Sequence, residues 1–137
     1  MLSASTIHTL DELARRSHAE YTEGGLLYTF TEAANQAHCN FPAALTGRGG
    51  SSLAENDRMQ LAIVICKTLG NFSCTSPDAE SLMLADSLME CLRTDLGFSM
   101  AGLAVDDDDD FSWGSTVHMA REKDNRYFSL TLWGSID

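Results

Sequence analysis

Basic residues are scarce in this chain: nine Lys and Arg stand against twenty Asp and Glu, a formal net charge of −11 over 137 residues. A field of that sign repels phosphate backbones and anionic headgroups, so direct binding of DNA, RNA or a membrane is not expected. No apolar run approaches the roughly 20 residues a membrane-spanning helix needs. The first residues, Met1 to His8, have neither the basic nor the apolar stretch of a secretory signal, so a cytoplasmic protein is expected.

The motifs of common site chemistries are missing as well. Cys39, Cys66, Cys74 and Cys91 fall singly with no CxxC, which argues for buried reduced thiols rather than a disulfide framework or a zinc site. His8, His18, His38 and His118 show neither H-x-x-x-H nor H-E-x-x-H spacing, so no metal is implied. No serine lies in G-x-S-x-G. The one glycine-rich loop, Leu45 to Ser52, lacks the lysine and the spacing of a phosphate-binding loop and is expected to be a flexible connection. No cofactor follows from any of these residues.

What is present is an architecture. At 137 residues the chain has the size of one domain that buries about two-thirds of its unfolded surface. Thr9-x-x-Glu12 is a capping box, and Leu10, Leu13, Ala14 and Tyr21 follow it on one helical stripe until Gly24-Gly25. Leu26 to Thr31 is apolar and β-branched enough for a short strand. A second capping box, Thr29-x-x-Glu32, and the spacing of Phe30, Ala33, Ala34 and Ala37 instead predict a helix over about Phe30 to Cys39. Leu53 to Leu69 is apolar nearly all round, which predicts the central, most buried helix. Ser76-Pro77-Asp78 then opens a helix whose stripe, Ala79, Leu82, Ala85, Leu88, Met89, Leu92 and Leu96, ends at Gly97.

The last forty residues, Phe98 to Asp137, change character. Phe98 to Val105 is a third strand or only a connector, and Asp106 to Asp110 are five consecutive aspartates. Phe111 to Lys123 and Arg126 to Trp133 read as a hairpin about Asp124-Asn125, a pair suited to a two-residue turn. With Lys123 opposite Arg126, Met119 faces Leu130, Val117 faces Leu132 and Arg121 faces Phe128 on a mostly apolar side. Thr116, His118, Tyr127, Ser129, Thr131 and Trp133 then share the polar side. The expected fold is α+β: about four helices packed on a C-terminal antiparallel β-hairpin or small three-stranded sheet, in one domain, with the helical part over about 1–97 and the acidic loop and hairpin over 98–137.

Residues 76–137 hold −9 of the net charge, so the C-terminal half carries the field. The Asp run does not match a calcium loop, which needs spaced oxygens and a glycine. Its simplest role is a solvated acidic loop. Its sharper role is an acidic patch with aromatic anchors: Asp106, Asp107, Asp108, Asp109 and Asp110 with Trp113, His118, Tyr127 and Trp133, joined by Asp86 and Glu90 one turn apart on the last helix. Carboxylates accept bidentate arginine and aromatics stack on guanidinium planes, so such a patch suits a basic protein surface. The leading expectation is a small acidic protein-binding protein that inhibits its partner by occluding a basic nucleic-acid-binding surface. In size and charge it resembles the acidic inhibitors of phages and mobile elements, anti-CRISPR proteins among them, and acidic immunity proteins or antitoxins. An acidic chaperone of secreted effectors is the alternative; an enzyme using His118 and nearby carboxylates is a third reading.

Overall fold

The computed structural model describes residues 1–21, 23–33, 52–105 and 111–136. Helix α1 spans Ala4–Glu20, strand β1 Gly25–Ala33, α2 Glu55–Thr68, α3 Ala79–Leu96, β2 Met100–Val105, β3 Ser112–Arg121 and β4 Arg126–Ser135. The strands form one antiparallel sheet in the order β1-β4-β3-β2. The architecture is therefore α+β, with three helices among the described residues rather than about four, and with four strands rather than two or three.

The difference in both counts traces to one segment. Phe30 to Ala33, expected to open a helix, is the end of β1, and residues 34 to 39 of that expected helix lie outside the described residues. Between Leu26 and Thr31 the same residues satisfy a period of two, with Leu26, Tyr28 and Phe30 on one side and Leu27, Thr29 and Thr31 on the other. The sheet supplies what decides between the periods: Phe30 stacks on Phe128, ring centroids 6.2 Å apart, and the whole of β1 pairs with β4. Local capping signals are worth about 1 kcal/mol, less than a nine-residue ladder with a buried face.

The helix boundaries also shift. α1 is capped six residues before the capping box, with the Ser3 hydroxyl accepting from the Thr6 amide, and α3 is capped by Asp78 rather than Ser76. Asp95, near the end of α3, accepts from the Ser3 amide at 2.9 Å and the Ser3 hydroxyl at 3.0 Å, and also from the Thr6 hydroxyl. It thus ties the start of α1 to α3. Burial alone would raise the Asp95 pKa, but the donors from Thr6 and Ser3 outweigh it and hold the carboxyl below its ordinary 3.8. A carboxyl depressed in the fold stabilises it above the unfolded pKa, and that contribution is lost as pH falls through the folded value. Thermal unfolding followed by circular dichroism should therefore show Asp95→Asn lowering Tm at pH 7 and the difference from wild type shrinking as pH drops below about 4.

The β3–β4 hairpin keeps its expected faces but not its expected register. Arg121, not Lys123, stands opposite Arg126; Met119 faces Phe128, Val117 faces Leu130 and Ser115 faces Leu132. The connection is a four-residue one, a single 3-10 turn at Glu122–Asp124 followed by Asn125 at φ 57°. Adding two residues to the loop moves the pairing by two, which preserves the in-out alternation that a shift of one would invert. The like-charged pair is relieved by separate carboxylates: Arg121 Nε donates to Asp124 at 2.9 Å and Arg126 to Glu32 at 3.2 Å. Arg121 also lies over the Phe128 ring and donates to the Leu96 carbonyl at 2.6 Å, at the negative end of α3.

One core lies between the inner sheet face and the helices, built from Leu10, Leu13, Leu61, Val64, Ile65, Leu88, Leu92, Leu96, Val117, Met119, Phe128, Leu130 and Leu132. α2 is buried along most of its surface, as expected, although Ile63 is only half-buried. Leu88→Asp should unfold the protein, because it places a carboxylate with no partner at a fully buried position. Ile63→Asp should leave a folded, weakened protein, and loss of the cooperative far-UV transition in both variants would contradict that ranking. Cys66 and Cys74 are buried free thiols and Cys91 is a half-buried one. Burial and the neighbouring Cys66 thiol push the Cys74 pKa up to about 11, which leaves that thiol unreactive at neutral pH.

Candidate partner-binding surface

The expected site residues fall in four places. Asp106 to Asp110 lie outside the described residues; Val105 at the end of β2 and Phe111 before β3 are the points where they join the sheet. Trp133, Tyr127 and His118 sit on the outer sheet face, which none of the three helices covers. Trp113 is in the core, and Asp86 and Glu90 line a cleft on the helical side.

Trp113 is the correction. Expected as a surface anchor, it is 2% exposed because it shares the odd-numbered parity of Ser115, Val117 and Met119 and so faces the helices. Its indole N–H donates to the Thr68 hydroxyl at 3.1 Å, which in turn donates to the Val64 carbonyl at 2.8 Å. Its ring meets Tyr21 at 5.2 Å between centroids, and Tyr21 donates to the Lys67 carbonyl at 2.5 Å. These bonds satisfy both polar aromatics inside the core.

His118 lies on the outer face as expected, yet only 6% of it is exposed. Its Nδ1 is hydrogen-bonded to the Ser129 hydroxyl at 3.2 Å, and beside it Thr116 and Thr131 share a hydroxyl pair at 3.0 Å. These bonds run across the β3–β4 ladder and hold the outer face together.

Asp86 and Glu90 are neither isolated nor near the hairpin. Asp86 receives a bidentate pair from Arg58 of α2, Nε at 2.8 Å and Nη2 at 3.0 Å, and this arginine holds the carboxyl below its ordinary range. Glu90 is bonded to Arg93. Both border a cleft of about 200 Å³ with Leu53, Leu61, Ala85 and Met89. A flat partner laid on the outer sheet face does not reach them, since the helices stand on the opposite side.

Beside the expected Trp133, the sheet end at which the Asp run joins holds three exposed apolar residues that were not expected in the site. Leu27 is 60% exposed, Phe111 54%, Val105 49% and Trp133 43%. Leu27 and Trp133 are directly paired across β1 and β4. The available signal was Leu27 itself, an apolar residue in the outward parity of β1. Bases offer nothing comparable: every arginine among the described residues is in an ion pair with a carboxylate of its own chain. The uncompensated charge is therefore negative. Among the described residues no cluster of His, Cys, Asp and Glu is arranged to hold a metal ion, and no helix is long and apolar enough to cross a membrane.

Comparison with protein families, with characterised proteins and with solved structures finds no match.

Proposed function

We propose that this chain is a protein-binding protein that recognises a basic surface and acts by occluding the nucleic-acid-binding face of its partner. The observation that carries this reading is a juxtaposition: the points where the five aspartates join the sheet, Val105 and Phe111, stand at the same end as the exposed Leu27 and Trp133 pair. Apolar and aromatic side chains supply the contact that survives desolvation, and carboxylates around them supply attraction and specificity for arginine and lysine. With the arginines already neutralised by neighbouring acids, the surplus of charge is left to face a partner. Asp86 and Glu90, each paired with an arginine, add nothing to that surplus in this reading, and Trp113 belongs to the scaffold.

The test is affinity capture from a lysate of the source organism at low and high salt, with bound proteins identified by mass spectrometry, followed by competition with nucleic acid. A basic nucleic-acid-binding protein that is retained at low salt, lost at high salt and displaced by DNA or RNA supports the proposal. Leu27→Ala with Trp133→Ala should weaken that capture by about tenfold or more, since central aromatic anchors dominate interface energy. A partner held equally by wild type and variant in both salts would move the interface elsewhere.

A further inference from the structure

The two edges of the sheet are treated differently. At the β2 edge, the buried carboxylate of Asp57, in the first turn of α2, accepts the Leu103 amide at 3.3 Å. That amide points away from β3, and α2 lies against this strand. The edge is thereby covered in the way sheet proteins usually protect an open strand.

The Leu103 geometry also sets which groups are free at the other edge. In an antiparallel sheet, residues alternate between bonding one neighbour and bonding the other. If Leu103 points outward, then Gly102 pairs with His118 by hydrogen bonds, Val117 with Leu130 and Thr131 with Thr29, following the registers of the four strands. The amides and carbonyls of Leu26, Tyr28, Phe30 and Glu32 therefore point out of the sheet. Among the described residues none of these backbone groups has a hydrogen-bond partner.

Among the described residues nothing covers the β1 edge, and the strand carries little of the usual protection. It runs for nine residues without proline or lysine, and its single charge, Glu32, sits near the end and is already paired with Arg126. Its outward side chains include Leu27, 60% exposed, and the exposed Thr29 and Thr31. Such a strand is a template for a further strand.

We propose that β1 pairs antiparallel with β1 of a second copy of this chain, about a twofold axis through Thr29, making one continuous eight-stranded sheet. The strand is self-complementary in that register. Leu26 stands opposite Glu32 of the second copy and Tyr28 opposite Phe30, each pair exchanging an amide and a carbonyl bond. Thr29 stands opposite Thr29, and Leu27 opposite Thr31, as the non-hydrogen-bonded pairs between them. Tyr28 and Phe30, half-buried at the margin of the core, extend it across the seam. The near-neutral strand lets two chains of charge −11 meet there, with their mutual repulsion screened beyond about 8 Å at physiological salt. An isologous contact of this kind closes on itself and does not propagate.

Thr29→Cys tests the register directly. Two residues on the twofold axis at a non-hydrogen-bonded pair have Cα atoms about 4.5 Å apart, within disulfide range. Thr31→Cys is the control, because its own copies stand four residues out of register, about 14 Å apart at ~3.4 Å per residue. Under mild oxidation the Thr29→Cys chain should give about tenfold more disulfide-linked dimer on a non-reducing gel than Thr31→Cys or wild type. Light scattering should show the wild-type mass rising from 14.9 kDa towards twice that with concentration, more so at high salt, and Thr29→Lys should remain at the monomer mass. Equal cross-linking of the two cysteine variants, or a dimer that Thr29→Lys leaves intact, would overturn the assignment to β1. A wild-type mass that stays monomeric at every concentration and salt would overturn it as well. The salt dependence is opposite in sign to that of basic-partner capture, so the two proposals fail separately.

Discussion

Trp113→Ala is expected to remove about 3–5 kcal/mol of stability, read as a lower midpoint in denaturant melts followed by far-UV circular dichroism. The indole is among the largest fully buried side chains, and its loss leaves a cavity bordered by Tyr21 and Thr68 and takes away a hydrogen bond. Gly134 stands opposite Trp113 across the ladder, and a Cβ added there would lie 2.5 Å from Cε2 and Cζ2 of the indole. Gly134→Ala should therefore also destabilise, by about 1–3 kcal/mol, because the ring must leave its place against the backbone. The combination is the sharper test. In the Trp113→Ala background the added methyl has room, so Gly134→Ala should then be nearly neutral. Additive losses would show that the indole and the glycine do not act as one packing unit.

Replacing Asp106 to Asp110 with Asn is expected to weaken partner capture by about tenfold or more and to flatten its dependence on salt, while leaving Tm unchanged or raised. Five carboxylates removed from −11 leave −6, which lowers both self-repulsion and long-range attraction to a basic surface. Asparagine keeps the size and hydrogen bonding of the side chain, so the change isolates charge. A marked fall in Tm would place these aspartates in structural contacts or at a bound cation. Undiminished capture would make the run a solvated connection and transfer the interface to the apolar residues at the sheet end, which Leu27→Ala with Trp133→Ala reads independently.

The two effects belong to different layers of the molecule. Trp113 and Gly134 determine whether the sheet and helices close into one core, and they should change stability without a salt signature. The aspartates should change association without a stability signature. A variant series that crossed these readouts would show that core and surface had been assigned to the wrong residues.

Much of this could be read along the chain because it depends on short-range periodicity. The apolar stripe of α3, the buried character of α2 and the glycine at φ 58° that ends α3 are local, since 3.6-residue spacing and a C-terminal glycine act within one helix. The inward parity of Val117, Met119, Phe128, Leu130 and Leu132 was equally legible, because alternation survives an error of two residues in register. Net charge and its bias to the C-terminal half needed only counting.

The rest was settled by partners distant in sequence. β1 satisfied a capping box and a strand alternation at once, and only pairing with β4, about a hundred residues on, made it a strand. Trp113 looked like an anchor beside the aspartates although it shares the inward parity of Val117 and Met119, and Thr68 and Tyr21, distant in sequence, are what seat it in the core. Asp86 and Glu90 looked like free surface acids until the packing of α2 on α3 brought Arg58 to Asp86. Sequence by itself determined which residues prefer a helix, an alternating face or water, because those preferences reside in each residue and its near neighbours. Tertiary structure decided which preferences were honoured, because burial, ladder hydrogen bonds and ion pairs across the fold outweigh a local signal of about 1 kcal/mol.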